Sequence, residues 1–570
     1  MTHIADSPNT QILSPSPPTS EKPDYRALYT SIHALNDDVF LEIFNHFRLD
    51  DEWNWNLQRR WCKLSHVCRR WRSCIYDSPS LLNMHILLRN GTPNMDLVAH
   101  LPPLPLVIDY RDRIAAEDEE TILPALQQRD RIRHMTLQVP SRSLYKLLMT
   151  MDGPFPSLES ISLLSTTEEH QCPTLPGTFL APNLRHVTFV GVGFPPGLPL
   201  LASAFDLVTL TLTHTQASGY IFPELLITHL QHLIQLEDLS IGFSIPLPRP
   251  NDETKLLRGP IIRVTIPSLK RLTFRGVAAY LESLIARIRA PLLEQLNIAL
   301  FNQLAYTLPR LSHFTSSTEG LRHHTGQVIF SQDVVSILVG PPEEIGEGGF
   351  GLHISCKQFD WQIDSAVQVF GELRPMLSIV EELTLGFGED RTPSVQWQTD
   401  AVESIMWHEL LLPFSGVKKL RVGSSLAPEL SSALDPDDAG LALELLPELE
   451  EIEAQLEDEG AYSGFAAFVD ARRVAGRPVL FPDSMIPPPP PAKEPRLIAD
   501  SMRPPPPPKK DTRLLTIADQ LHPTEPPQHI LTQAHPVSPP GLLAQINWFT
   551  RGVVGRVRRQ IDATASPSKS

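Results

Sequence analysis

Apolar residues in the middle of the chain recur in a short pattern whose first, fourth and sixth positions are apolar. The pattern starts at Ile132, Leu158, Leu184, Leu207, Leu236, Leu269, Leu293, Val380 and Val417, and Leu449 keeps its first two apolar positions. Alternation at the fourth and sixth positions is typical of a strand with one buried face. The first seven starts lie about 23 to 33 residues apart, a spacing typical of stacked structural repeats.

Turns and helices are predicted between these strands. A proline and one further residue precede the pattern, for example at Leu158 and Leu184, which fits a proline-marked turn into each strand. Residues 223–233 and 278–288 have apolar residues at helical spacing. Together these features predict an α/β fold over residues 90–482, in which parallel strands alternate with helices in a solenoid.

The repeat pattern is lost between residues 294 and 379, where we expect an irregular insertion or degenerate repeats. Within this region QVIF (327–330) and GLHISC (351–356) are candidate strands because both are rich in apolar and β-branched residues. Residues 104–110, LPLVIDY, are a further expected strand ahead of the first repeat.

Residues 25–89 form a predicted small all-α domain. Asn36 or Asp37 can cap a first helix whose apolar residues are Val39, Phe40, Ile43, Phe44 and Phe47. A second apolar stripe, widened by Val67, predicts one continuous helix through Leu57, Trp61, Leu64, Cys68, Trp71 and Ile75. So few helices make a very small core, and we expect the domain to need a partner or the following domain for stability.

Both ends of the chain have compositions that do not favour a packed core. Residues 1–24 are rich in Ser, Pro and Thr, and residues 483–540 are rich in proline, so we expect a disordered segment and a disordered linker. The prolines can also be ligands for proline-recognition domains. Residues 541–561 form a basic amphipathic segment that can contact a membrane or dock on the protein, and 562–570 are an expected disordered tail.

The charge balance limits the classes of partner. The net charge of −16 and the pI near 5.7 argue against general nucleic-acid binding, which depends on Lys and Arg neutralising phosphates. Residues 427–460 hold 12 acidic residues and no Lys or Arg. This stretch is either a solvated end of the repeat array or a surface for a basic partner.

No catalytic or metal-binding motif stands out in the sequence, and we expect no cofactor. The 5 scattered cysteines are typical of free thiols in a reducing compartment. Cys62, Cys68 and Cys74 are too far apart on a helix to share one ion, since each step rises about 9 Å. GEGGFG (346–351) lacks the lysine of a phosphate-binding loop. The sequence shows neither a signal-peptide pattern nor an apolar run long enough to span a membrane, and we therefore expect a cytoplasmic or nuclear protein.

With these elements in place, residues 31–89 resemble the F-box. The family pattern is a leucine, a helix ending in Ile-Phe, a V-C-R-x-W helix and a Ser-Pro-x-Leu turn, matched here at Leu35, Ile43 with Phe44, 67–71 and 78–82. Asn36 stands where the family usually has proline, and the connection between the helices is longer and rich in Trp. This connection and the irregular leucine-rich repeats are similar to those of F-box proteins abundant in mushroom-forming fungi.

The resemblance implies a substrate-recognition subunit of an SCF-type (Skp, cullin, F-box) ubiquitin ligase. The F-box would bind a Skp-type adaptor and through it a cullin, while the repeats bind a target protein. Such a subunit is not itself an enzyme, because the ubiquitin thioester belongs to other subunits. The implied adaptor-binding residues, divided between the domain's own core and the surface offered to the adaptor, are Leu35, Val39, Ile43, Phe44, Phe47, Leu64, Val67, Cys68 and Trp71.

Three alternatives stay open. The chain could be an F-box scaffold that works outside a ligase, or a repeat protein whose N-terminal helices only cap the array. The third is an enzyme, which would need an activity that depends on a named side chain. The sequence does not identify the target, although exposed pairs between the apolar positions, such as Arg185 with His186 and Lys270 with Arg271, are candidate contacts.

Overall fold

A computed structural model describes residues 35–49, 64–77, 85–89, 104–111, 116–166, 172–216, 219–247, 263–341, 348–388, 404–434, 444–454 and 459–481. The predicted disordered segment at 1–24, the linker at 483–540, the basic segment at 541–561 and the tail at 562–570 lie outside the described residues. So do the Trp-rich connection and the Ser-Pro turn that contribute to the F-box resemblance.

Helices and strands alternate along most of the described chain. The strands are β1 (Ile86–Leu88), β2 (Leu106–Tyr110), β3 (Ile132–Val139), β4 (Ser160–Ser165), β5 (His186–Val190), β6 (Thr209–Thr215), β7 (Asp238–Phe243), β8 (Val264–Thr265), β9 (Arg271–Gly276), β10 (Ile288–Arg289), β11 (Gln295–Leu300), β12 (Thr325–Ser331), β13 (Val334–Gly340), β14 (Gly349–Ser355), β15 (Glu382–Phe387), β16 (Lys419–Val422) and β17 (Glu451–Ala454). The α-helices are α1 (Asp37–Leu49), α2 (Arg69–Asp77), α3 (Ala116–Gln127), α4 (Ser141–Thr150), α5 (Pro199–Ser203), α6 (Pro223–Leu230), α7 (Ala278–Ile285), α8 (Pro309–Ser317), α9 (Phe359–Glu372), α10 (Arg374–Leu377), α11 (Ser404–Leu411), α12 (Ala427–Ala433) and α13 (Glu459–Val474).

One sheet of 15 strands runs through the described residues, in the order β1-β2-β3-β4-β5-β6-β7-β9-β11-β14-β13-β12-β15-β16-β17. Its neighbouring strands are parallel, except that β13 is antiparallel to both β12 and β14. Strands β8 and β10 form a separate parallel pair. The predicted α/β class, with mostly parallel strands that alternate with helices, is therefore confirmed.

All ten occurrences of the apolar pattern become strands of the large sheet, and LPLVIDY becomes β2. In β4, Leu158 is buried just before the strand and Ile161 and Leu163 are buried within it, whereas Ser160 and Ser162 lie on the other face. Successive side chains of a strand point to opposite faces, which explains this alternation. Helices cover the apolar face, where α4 contacts β3, α7 contacts β9 and α9 contacts β13.

Opposite charges on neighbouring strands support the parallel register. Glu237 and Asp238 precede and begin β7, and their partners at the same level beside β9 are Lys270 and Arg271. The Lys270 Nζ lies 3.2 Å from a Glu237 carboxylate oxygen, and Arg271 Nη2 donates to Asp238 Oδ2 at 2.5 Å. Partly exposed pairs add only about 0–1 kcal/mol each, so they select the register more than they stabilise the sheet.

The region between residues 294 and 379 holds an insertion that continues the sheet. QVIF lies in β12 and GLHIS in β14, so both candidate strands are confirmed, whereas β13 was not predicted. The chain passes from β11 to β12, three positions further along the sheet, and returns through β13 to β14, which pairs with β11. The parallel pattern then resumes with β15 beside β12.

The outer edge of the last strand, β17, is covered by returning chain. The Ile452 N–H donates to the Leu480 carbonyl at 3.0 Å, and the Leu480 N–H donates to the Glu450 carbonyl at 2.7 Å. Helix α13 lies between the two segments and is held by the buried Arg472, whose guanidinium donates at 3.0–3.2 Å to the carbonyls of Leu445, Leu446 and Pro447.

Candidate docking site on the N-terminal helices

The first helix begins as its sequence predicts. Asn36 Oδ1 accepts the backbone N–H of Val39 at 2.9 Å, which is the hydrogen bond of an N-cap side chain. Asp37 and Asp38 occupy the first turn, where carboxylates interact favourably with the positive end of the helix dipole. The prediction of Asn36 as a cap is confirmed, and this cap stands where the F-box family usually has proline.

The predicted second helix is interrupted at residues 66–68. A helical turn at 64–65 is followed by a turn at 66–67, and α2 begins at Arg69, so the prediction of one continuous helix is wrong here. Cys68 Sγ accepts the backbone N–H of Trp71 at 3.5 Å, and the cysteine therefore takes the N-cap position. Cys68 is half-buried and caps α2, whereas the sequence pattern assigned it to a buried stripe.

Three aromatic rings join the two helices. The Trp71 ring centroid lies 5.5 Å from that of Phe40 and 5.1 Å from that of Phe44, both in edge-on geometry. Phe40 and Phe44 are buried, and their ring centroids are 6.0 Å apart. Such pairs each contribute about 0.5–1.5 kcal/mol beyond their buried area. The same contiguous core includes Cys74 and Ile75 of α2 and extends to the strands of the large sheet.

A charged side chain adds a second connection between the helices. Arg70 Nη2 donates to the Leu35 carbonyl at 2.6 Å and to Asp37 Oδ1 at 2.8 Å, and its Nε donates to the same carboxylate at 3.1 Å. The guanidinium also lies over the Phe40 ring, 4.8 Å from the centroid. Hydrogen bonding from Arg70 holds the pKa of Asp37 below its ordinary value.

Three apolar side chains in the described part of this domain remain exposed. Val39 and Ile43 are 41% and 44% exposed, and their i, i+4 spacing places them on one face of α1. Val67, in the turn before α2, is 60% exposed. We refer to these three residues as the exposed apolar set. Their side chains do not take part in the domain's core, since that role falls to Phe40, Phe44 and Trp71.

The nine residues implied by the F-box resemblance thus divide into groups. Val39, Ile43 and Val67 are exposed, and Phe44 is buried. The half-buried ones are Leu35, Leu64, Cys68 and Trp71. Phe47 belongs to α1, but its side chain lies outside the described residues. Sequence reasoning did not find Arg70, although its position one residue before Trp71 at the start of α2 was visible.

The face of the large sheet opposite its apolar face is polar. Adjacent strands place small polar side chains at one register level, and these are Thr136, Ser162, Thr188, Thr211, Ser240, Thr273 and Asn297.

Burial lowers the pKa of His134, His214 and His353 to about 4. The candidate contacts lie beside this row, where His186 Nδ1 is 3.3 Å from Thr209 Oγ1 and Lys270 and Arg271 are ion-paired.

Buried thiols offer little reactivity. Cys68, Cys74, Cys172 and Cys356 are free. Burial raises the pKa of Cys74 and Cys356, and raises that of Cys172 to about 11. Within the described part of the chain, no group of three or more His, Cys, Asp or Glu residues is arranged to hold a metal ion.

Neither a protein-family model nor a curated protein matches the chain. None of the helices that the structure describes has the length and apolar character needed to cross a membrane.

Proposed function

We propose that this chain is an F-box substrate receptor of an SCF-type ubiquitin ligase, acting in the cytoplasm or nucleus. The N-terminal helices bind a Skp-type adaptor, which connects the chain to a cullin. The large sheet and its helices form an irregular leucine-rich-repeat solenoid that binds a target protein. The chain acts by positioning, because holding the target in the same complex raises its effective concentration near a ubiquitin-charged enzyme.

The observation that carries this proposal is the exposed apolar set. A two-helix unit has few apolar side chains, and here Phe40, Phe44 and Trp71 already supply its core. Val39 and Ile43 nevertheless face water on the same side of α1, with Val67 exposed before α2. An apolar helix face that the domain itself does not bury is the kind of surface that binds a partner groove.

The adaptor test uses the full-length protein with a recombinant Skp-type adaptor. We expect the wild type to retain the adaptor in co-purification and Ile43→Asp to lose it, since a buried unpaired carboxylate at an interface costs several kcal/mol. Leu304→Asp is the matched control, because Leu304 is fully exposed at a loop remote in sequence from α1. Leu304→Asp should retain the adaptor at the wild-type level.

Phe44→Ala separates the core from the contact surface. Phe44 is buried against Trp71, so its truncation should lower the free energy of unfolding of the N-terminal helices by about 3–5 kcal/mol. Ile43→Asp should leave stability nearly unchanged, because Ile43 is exposed. Equal loss of adaptor binding and of stability in both variants would contradict the assignment of Ile43 to the contact.

A second candidate function follows from the continuity of the core. Phe40, Phe44 and Ile75 belong to the same contiguous cluster as Ile86 and Leu88 of β1, so the core of the helices is continuous with that of the first end of the sheet. A protein in which they only cap the array would retain no adaptor while remaining folded. A scaffold that works outside a ligase would retain the adaptor, yet its bound proteins would not be lost in a cullin-dependent manner.

A further inference from the structure

Arg70 and Trp71, adjacent residues at the start of α2, contact α1 at two different places. Trp71 packs its ring against Phe40 and Phe44, which occupy the buried side of α1. Arg70 binds the polar end of the same helix, through the Leu35 carbonyl before it and the Asp37 carboxylate in its first turn. A helix fixed both along its buried side and at its N-terminal end has little freedom to rotate about its axis.

That rotation decides where the exposed apolar set points. Val39 and Ile43 are the immediate neighbours in sequence of Phe40 and Phe44, so each pair lies about 100° apart around the helix. Turning α1 by a fraction of that angle would move Ile43 toward the aromatic rings and expose Phe44 instead. Arg70 also lies only three residues after Val67, the third member of the set. Its contacts with α1 therefore also fix the position of α1 relative to the turn that holds Val67.

The contacts of Arg70 need the planar guanidinium. One nitrogen, Nη2, donates to a carbonyl and a carboxylate together, while Nε donates to the same carboxylate and Cζ lies 4.8 Å from the Phe40 centroid. A lysine ammonium is a point charge that cannot combine these directions with ring stacking. The neighbouring Arg69 is exposed, which makes it a matched comparison of the same residue type.

We infer that Arg70 is a positioning residue of the docking site: its contacts with Leu35, Asp37 and Phe40 orient α1 so that Val39 and Ile43 meet the adaptor together with Val67. The inference rests on the proposed function. It predicts that Arg70 contributes to adaptor affinity through the placement of Ile43 and without itself supplying the apolar contact.

The test is a double-mutant cycle in the full-length protein, with adaptor affinity measured by calorimetry. Arg70→Met should weaken binding about tenfold, and Arg69→Met should leave it unchanged. If Arg70 acts by placing Ile43, the Ile43→Ala loss should be smaller in the Arg70→Met background than in the wild type.

Additive losses in the cycle would overturn the inference, since Arg70 would then act independently of Ile43. Amide hydrogen exchange of α1 is the second readout, and Arg70→Met should speed exchange at Phe40–Phe44 whereas Arg69→Met should not. If the wild type binds no adaptor, the proposed function falls and the docking role of Arg70 falls with it. Hydrogen exchange still tests the orientation of α1 independently of adaptor binding. Faster exchange in Arg70→Met would show that Arg70 orients α1 in a domain that serves another purpose.

Discussion

At the scale of single residues, a few buried polar side chains hold the ends of helices where local capping is missing. Helix α8 has Leu308 at its N-cap, which supplies no side-chain hydrogen bond. The buried carboxylate of Glu282 on α7 supplies it instead, accepting the N–H groups of Arg310 at 3.0 Å and Leu311 at 2.8 Å. Burial raises the pKa of Glu282, which these hydrogen bonds partly offset.

Removal of this carboxylate should destabilise the protein. Glu282→Ala leaves two buried N–H groups without their charged acceptor, and we expect a loss of about 2–3 kcal/mol in the free energy of unfolding measured with urea. Glu282→Gln, which keeps one acceptor oxygen, should lose less. The exposed Glu319→Ala is the control and should stay within about 0.5 kcal/mol of the wild type. A loss below that value for Glu282→Ala would show that water replaces the carboxylate.

The residue scale is also where sequence reasoning was least complete. The sequence predicted α1 and a cap at Asn36 or Asp37, because a helix and its cap depend on neighbouring residues alone, and Asn36 is the cap observed. It could not separate the exposed Ile43 from the buried Phe44, since adjacent apolar residues fall on the same broad stripe and only the position of Trp71 decides between them. Cysteine is an unusual N-cap, so the break in the second helix at Cys68 had no clear signal.

At the scale of elements, the polar face of the sheet carries histidines whose burial makes folding sensitive to pH. His353 on β14 has its Nδ1 2.8 Å from Ser336 Oγ, and its pKa is lowered to about 4, like those of His134 and His214. Their ordinary value is 6.5. Between pH 6.5 and 4 the unfolded chain therefore binds more protons, and stability falls as the pH decreases through this range.

His353→Gln should flatten this dependence. Each such histidine adds up to about 1.4 kcal/mol per pH unit to the slope of unfolding free energy, and glutamine keeps a neutral hydrogen-bonding side chain beside Ser336. Urea denaturation at pH 7.5, 6.0 and 5.0 should show a smaller decrease for the variant than for the wild type. His232→Gln, at an exposed position, is the control, and an identical slope in all three proteins would mean that His353 binds protons equally in the folded and the unfolded chain.

Strands were easier to predict than the insertion among them. Ten strands follow one apolar pattern because each of them buries one face against a helix and needs apolar residues at the same positions. The sequence analysis did not identify strand β13, although Val335, Ile337 and Val339 alternate as buried residues within it. Its antiparallel partners β12 and β14 are its neighbours in sequence, whereas the reversed order of the three strands depends on the pairing of β14 with β11 and of β12 with β15. These partners are distant in sequence, and a local pattern does not specify them.

At the scale of the whole molecule, the large sheet makes contacts mainly between neighbours in one line. Each strand pairs with at most two others, and the helices pack on the strands and helices next to them. In such an arrangement a local defect destabilises the neighbouring strands and helices and has less effect several strands away. The last end of the sheet, where Arg472 holds α13 against the chain before β17, is suited to test this expectation.

Arg472→Met should loosen that end alone. The substitution leaves the carbonyls of Leu445, Leu446 and Pro447 without their buried donor, and a buried acceptor that loses its partner costs about 1–3 kcal/mol. Hydrogen exchange should therefore speed up in β16, β17 and α13 and stay unchanged in β3 to β6. Arg473→Met is the control, since Arg473 is exposed and pairs with Asp470 on the same helix. Faster exchange along the entire sheet would instead mean that all its strands unfold as one cooperative unit, and an adaptor bound at the first end would then respond to changes at the last.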